Sequence, residues 1–198
     1  MTKHVSETSL WRASTPPSLT SLQKYWLTRP GALTAGLRQL GHVTLQVERE
    51  YAWGLADHEA YLAGLTAQTP AWIREVKMAI NGTHAVVARS YTPLRASHGR
   101  WQGIRRLSTR PLADILYDDP RITRSAFLVA RLQNRHPLFQ LATQVAADQI
   151  TQRSCLPARC SVFWNNHEPL IVAECFLPEF WTMAARSAYG HRKNKIAP

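Results

Sequence analysis

Trp72-Ile73-Arg74-Glu75-Val76-Lys77-Met78-Ala79-Ile80, then Asn81-Gly82, then Thr83-His84-Ala85-Val86-Val87-Ala88-Arg89-Ser90-Tyr91 decides the fold of this chain. Two runs rich in β-branched and aromatic residues are joined by Asn-Gly, a pair that accepts the positive φ angles of a two-residue turn. The stretch is a β-hairpin. A two-residue turn sets Ile80 opposite Thr83, and the register runs on through Met78 with Ala85, Val76 with Val87, Arg74 with Arg89 and Trp72 with Tyr91. Side chains alternate along a strand. These positions therefore share one face, apolar or aromatic apart from Thr83 and the two arginines. Glu75, Lys77, His84 and Ser90 make the other, wetter face. Two facing guanidiniums repel, and a buried unpaired charge is costly. Either one arginine pairs with an internal carboxylate while the other reaches the rim along its aliphatic stem, or an anionic ligand balances them.

A second hairpin is expected from residues 159–164 and 170–177, joined by Asn165-Asn166-His167-Glu168-Pro169. In its second strand Leu170, Val172, Glu174 and Phe176 lie on one face, and Ile171, Ala173, Cys175 and Leu177 on the other. Both faces are apolar, which marks a central strand with Glu174 as its only charge. Glutamate is almost never fully buried without a partner. Glu174 is thus either a structural mate for Arg74 or Arg89, or a site residue. One carboxylate does not neutralise two arginines, so a dianionic ligand would complete the balance.

Outward from the hairpins, residues 42–51 alternate (Val43, Leu45, Val47 against Thr44, Gln46, Glu48) and read as a half-buried strand. Residues 126–132 form another. Helices are expected over 18–27 with Ser18 as N-cap, over 32–40 with Leu33, Leu37 and Leu40 on one face and Gly41 as the stop, over 111–117 opened by Pro111, and over 137–147. Pro30 and Pro111 stand near helix N-termini, where free N–H groups accept anions. Residues 1–17 read as a flexible N-terminal lead, 18–182 as the single domain, and 183–198 as a basic C-terminal tail. Strands outnumber helices and hairpins join them, which gives an α+β domain: an antiparallel β-sheet flanked by helices.

Composition narrows the function. The chain has 198 residues, 45% of them hydrophobic with seven tryptophans, which excludes a wholly disordered protein. There is no apolar N-terminal signal and no run of about 18 apolar residues. Cys155, Cys160 and Cys175 match neither a disulfide framework nor a zinc pattern, so a soluble, reduced, cytoplasmic protein is expected. The net charge of +11 raises nucleic-acid binding. The basic clusters, however (Arg95, Arg100, Arg105, Arg106 and Arg110 around Trp101, and 191–195), accompany no recognition motif and read as solvated surface. No GxSxG, P-loop, GxGxxG or HExxH occurs. No metal and no nucleotide cofactor is expected.

Four segments in register give a resemblance. Trp72-Ile73-Arg74-Glu75-Val76, Ala88-Arg89-Ser90-Tyr91-Thr92-Pro93, Pro111-Leu112-Ala113-Asp114-Ile115-Leu116 and Pro169-Leu170-Ile171-Val172-Ala173-Glu174-Cys175-Phe176-Leu177-Pro178 resemble, in this order, bacterial chorismate pyruvate-lyase, over roughly Ser18 to Trp181. The resemblance implies an enclosed ligand site on the sheet. It also implies cofactor-free conversion of chorismate to 4-hydroxybenzoate and pyruvate for ubiquinone synthesis, by a monomer with no nucleic-acid partner. It makes Arg74 and Glu174 the catalytic residues and Leu33, Arg74, Leu112 and Glu174 the binding residues, Leu33 and Leu112 through main-chain amides. One well-known member has methionine where this chain has Leu33, and residues 133–159 are longer here than in the family pattern. Arg89 is a further candidate anion contact. The alternative is a non-catalytic module of the same fold that senses a small aromatic acid.

Overall fold

The Asn-Gly turn closes as its residues require, with φ of 49° at Asn81 and 84° at Gly82, and Ile80 pairs with Thr83. The computed structural model describes residues 10–117 and 119–194. Two helices, α1 (Ser21–Thr28) and α2 (Leu33–Leu37), lead into β1 (Val43–Gly54), α3 (Asp57–Leu62), β2 (Pro70–Ile80) and β3 (Thr83–Pro93). Next come α4 (Leu94–His98), a 3-10 turn (Gln102–Arg106), α5 (Ala113–Leu116), β4 (Thr123–Arg124), β5 (Leu128–Leu132) and α6 (Pro137–Val145). The chain ends in β6 (Leu156–Asn165), β7 (Glu168–Phe176) and α7 (Pro178–Asn194). The strands form one seven-stranded antiparallel sheet in the order β1-β2-β3-β7-β6-β4, with β5 also paired to β6.

The hairpin register changes part-way along. Ala79 faces His84, but Met78 faces Val86, so Ala85 is the extra residue of a β-bulge. A slip of one residue sends every later side chain to the opposite face. Arg74 consequently faces Ser90, and Arg89 faces Glu75. The expected Arg74–Arg89 pair does not form; the two arginines lie on opposite faces of the sheet. The bulge has a packing reason. It lets Ala85 and Val86 both enter the cluster of Val76, Met78 and Phe176, each with no exposed surface.

The second hairpin is tighter than its sequence suggests. Asn165 pairs with Glu168 across a two-residue turn, Asn166-His167, in which both residues hold positive φ of 49° and 67°. This register brings Arg159 opposite Glu174.

Helix boundaries moved where a better cap was available. Thr20, not Ser18, caps α1: its hydroxyl accepts from the Gln23 N–H while the Gln23 side chain accepts from the Thr20 N–H. The α2 helix is shorter than expected; Leu33 and Leu37 are buried, and Leu40 follows in a turn, half-buried. The N-terminal lead is anchored: Trp11 is buried beside Leu138, and Arg12 bridges Val129. The expected tail is also corrected, because α7 continues through 183–194 and buries Ala184 against the Phe176 cluster. Expectations for residues 1–9 and 195–198 lie outside the described residues.

Helices cover both faces of the sheet. On one face α3 and α6 bury Ile73, Tyr91, Cys160 and Cys175. On the other, α1, α2 and α7 cover Val76, Met78 and Phe176, while the α4–α5 stretch covers Phe163 and Leu170. The basic 95–110 segment wraps an apolar centre of its own. Trp101, Ile104 and Leu107 are buried, and the Trp101 indole donates to the Glu168 carbonyl.

Candidate active site

A cavity opens on the face that α2 and α5 flank, with about 630 Å³ of atom-free space including its mouth. The sheet supplies its floor: Arg74, Ser90, Glu174 and Arg159 come from four adjacent strands, β2, β3, β7 and β6. Residues 31–34 at the start of α2 and 111–117 around α5 supply its walls. Gly31, at φ 80°, makes the backward turn between Pro30 and α2.

Arg74 is buried and spans two elements. Its Nε donates to Glu50 at 3.0 Å, and its Nη2 donates to the carbonyls of Ser108 at 2.6 Å and Arg110 at 3.4 Å. Burial lowers the pKa of this guanidinium, and the charge and hydrogen bond of Glu50 offset that only in part. The side chain thereby fixes the loop that carries Leu112. Among the described residues its Nη1 has no acceptor.

Glu174 has a partner that the sequence reading missed. Arg159, almost fully buried and directly opposite on β6, donates from Nε to Glu174 Oε2 at 2.6 Å. Its Nη1 donates to the carbonyls of Trp26 and Arg29, both at 3.2 Å. Arg159 therefore orients the carboxylate and fixes the end of α1, from which the chain enters α2. The signal lay in Asn166-His167: a two-residue turn there sets Arg159 opposite Glu174.

Leu33, the first residue of α2, and Leu112, the N-cap of α5, also line the cavity, and neither helix has a side-chain cap. First-turn amides have no intrahelical acceptor, so both walls offer N–H groups. Arg74, Glu174, Leu33 and Leu112 thus meet in one cavity, joined by Arg159 and Arg124. Its lining holds three guanidiniums, Arg74, Arg124 and Arg159, against one carboxylate, Glu174. The balance suits an anion.

Arg89 is not among the lining residues. It lies across the sheet, where it donates to Glu59 at 2.7 Å, to Tyr51 at 2.7 Å and to Glu75. Burial alone would lower its pKa, but the hydrogen bond and charge of Glu59, with help from Tyr51, outweigh that and raise it. The carboxylates that it needs are internal. Burial also pushes the Cys160 and Cys175 thiols up, away from the thiolate form. No group of metal-ligating side chains occurs among the described residues, and none of their helices is long and apolar enough to cross a membrane.

Comparison with known proteins places these features in a family. The chorismate lyase family model matches residues 5–186. The chain belongs to the chorismate lyase family. A probable chorismate pyruvate-lyase from Bordetella pertussis is 56% identical over 175 residues, 88% of this chain and 91% of that protein. The protein of that name from Bordetella avium is 51% identical, covering 86% of this chain and 84% of its own length. Probable chorismate pyruvate-lyase 1 from Pseudomonas entomophila is 37% identical, covering 88% and 92%. Among solved structures, the PhnF C-terminal domain superposes with a TM-score of 0.52 at 15% identity, covering 72% of this chain and 87% of that one. A GntR-family transcriptional regulator from Bacillus cereus gives 0.51 at 10% identity, covering 69% and 92%. At such identities the likeness is one of fold. This chorismate lyase family member shares its helix-flanked antiparallel sheet with regulator domains.

Proposed function

We propose that the cavity converts chorismate to 4-hydroxybenzoate and pyruvate. The observation that carries this reading is the convergence of Arg74, Glu174 and the two helix starts at Leu33 and Leu112 on one lining, with guanidiniums in excess over carboxylates. Chorismate is a dianion with one carboxylate on its ring and one on its enolpyruvyl ether. Arg74 clamps the ring carboxylate with the first-turn amides of α2 and α5, and Glu174 accepts the hydrogen bond of the ring hydroxyl.

In the reaction the ring C–O bond breaks and its electron pair leaves with the enolpyruvyl oxygen. The hydrogen on the neighbouring, hydroxyl-bearing ring carbon departs as a proton. Enolpyruvate takes up a proton at its methylene carbon and becomes pyruvate, so the atoms of chorismate are all accounted for in two products. Aromatisation drives the step. The protein therefore has to fix the dianion in a reactive pose and stabilise the charge that develops on the leaving enolpyruvate. Fixed guanidiniums in a low-dielectric cavity supply both. On this reading the product is the ring precursor of ubiquinone.

The test is direct. Purified protein is mixed with chorismate in a chelator, and 4-hydroxybenzoate and pyruvate are followed by chromatography. Equimolar formation of both well above the spontaneous rate is expected. Binding of chorismate or 4-hydroxybenzoate without turnover would overturn the lyase reading in favour of a sensing module, and neither binding nor turnover would reduce the likeness to one of fold.

A further inference from the structure

Arg124 has no role in the reading above, yet it lines the same cavity. It sits at the end of β4, opposite Phe163 of β6, another lining residue. Pairing with β6 then breaks: Arg124 faces Phe163, whereas the next strand resumes with Leu128 opposite Cys160. Ser125 fills the break. Its N–H donates to the Val162 carbonyl, and its hydroxyl accepts from the Val162 N–H. The break sets Phe127 beside Arg124, with the guanidinium carbon 4.2 Å from the ring centroid. The Arg159 guanidinium lies 4.3 Å from the same centroid.

This arrangement is electrostatically incomplete. Two cations share one aromatic ring, and Glu174 compensates Arg159 alone. Among the described residues Arg124 has no carboxylate partner, and its buried Nη1 has no hydrogen-bond acceptor. A buried donor without an acceptor costs about 1–3 kcal/mol, more when charged. An anion in the cavity would relieve both defects.

Position says which anion. Arg74 is on β2 and Arg124 on β4, with β3, β7 and β6 between them. The two cations thus stand at opposite ends of the floor, about four strand spacings of roughly 4.8 Å apart at the backbone, and their side chains reach into the same cavity. A ligand with carboxylates at both ends engages both. We infer that Arg124 binds the enolpyruvyl carboxylate of chorismate, which makes it the group that distinguishes the dianionic substrate from the monocarboxylate product. This rests on the reading of the cavity as a chorismate site.

The experiment compares Arg124→Met with the unaltered protein in two readouts: kcat/KM for chorismate, and Kd for 4-hydroxybenzoate from tryptophan fluorescence. The expected result is a loss of about 100-fold in kcat/KM, the scale of one charge-assisted bidentate contact, with a Kd for 4-hydroxybenzoate changed by less than about threefold. Arg124→Lys keeps the charge without the fork and should recover about tenfold; it carries the test by itself if the methionine variant does not fold. Unchanged kcat/KM overturns the inference. So does equal weakening of chorismate and 4-hydroxybenzoate, which would put Arg124 at the ring carboxylate or in the framework. If the unaltered protein binds both acids without turnover, the lyase reading fails, and the ratio of the two Kd values in each variant still decides the role of Arg124. If it binds neither, both fall.

Discussion

The β2–β3 hairpin carries one buried arginine on each face, and the two sit in opposite electrostatic surroundings. Arg89, on the face under α3 and α6, is surrounded by Glu59 and Glu75, and Arg49 also bonds Glu75 at 2.8 Å. Two cations there meet two carboxylates. On the cavity face Arg74 bonds Glu50, Arg159 bonds Glu174, and Arg124 bonds no acid among the described residues. One cation is left over. A buried arginine is therefore not a site by virtue of burial; the charge balance of its surroundings separates a structural cation from a ligand-binding one. The sequence set two unmatched arginines, Arg74 and Arg89, beside Glu174; on the cavity face the excess is one cation, Arg124, and Arg89 takes no part in it.

The comparison breaks most visibly at Arg74. Arg74→Ala should lower kcat/KM by about a thousandfold or more, the scale of a removed transition-state donor, while the protein stays folded. Near-normal kinetics in that variant would refute the clamp. Across the sheet the same kind of change should act on stability. Arg89→Met leaves Glu59 buried without a cation and Glu75 with Arg49 alone, and breaking such a pair costs about 3–5 kcal/mol. Urea unfolding should show that loss, with 4-hydroxybenzoate affinity of the folded protein unchanged; weakened affinity at unchanged stability would instead return Arg89 to the anion contacts. Glu174→Gln should cost about a hundredfold in kcat, because it replaces the charged acceptor for the ring hydroxyl with a weaker neutral one and leaves Arg159 without a counter-charge. A change under threefold would confine Glu174 to the framework.

How much of this was readable depends on the range of the interactions involved. Strand alternation and the Asn81-Gly82 turn are local, so both hairpins, the strand near 43–51 and the helix-flanked sheet followed from residue types. The bulge at Ala85 was not readable. Two registers differ there by one residue, and the one adopted is chosen by the core under α1 and α7, which takes in Ala85 and Val86 together. That single slip reassigned Arg89. Arg159 escaped for a related reason. Asn166 and His167 both adopt positive φ without glycine, so the turn looked like a longer loop and the cross-strand partner of Glu174 was lost. The α3 and α4 helices are too short to show a period. The last half of α7 is polar and resembles a tail, whereas the residues that dock the helix, Phe180 and Ala184, lie in its first half. Arg74 and Glu174 stood out as charges on otherwise apolar strand faces, Leu33 and Leu112 came from the family resemblance, and the fold brings those four to one cavity.

The smallest expected effect belongs to the face of Arg89 and tests whether that face is closed to protons as well as to ligands. His136 caps α6: its Nδ1 accepts from the Leu138 N–H, so the ring serves the helix in a form with that nitrogen unprotonated. It is buried, 4.9 Å from the His58 ring between centroids, and both His58 and Arg89 bear on it. Burial first, then the charges of His58 and Arg89, lower its pKa to about 3. An unfolded histidine titrates near 6.5. Between about pH 3 and 6.5 the unfolded chain therefore binds a proton that the folded chain refuses, and stability falls as the pH falls through that window. At pH 5 the loss from this group is on the order of 2 kcal/mol, since each unit of difference corresponds to about 1.4 kcal/mol. His136→Asn retains a side-chain acceptor for the α6 N-terminus and removes the titrating ring. Urea unfolding at pH 7 and pH 5 should show a drop in the unaltered protein that is smaller by about that amount in the variant. An equal drop in both would mean that His136 charges freely in the folded state, and that the Arg89 face is more open to water than its two carboxylates and buried rings indicate.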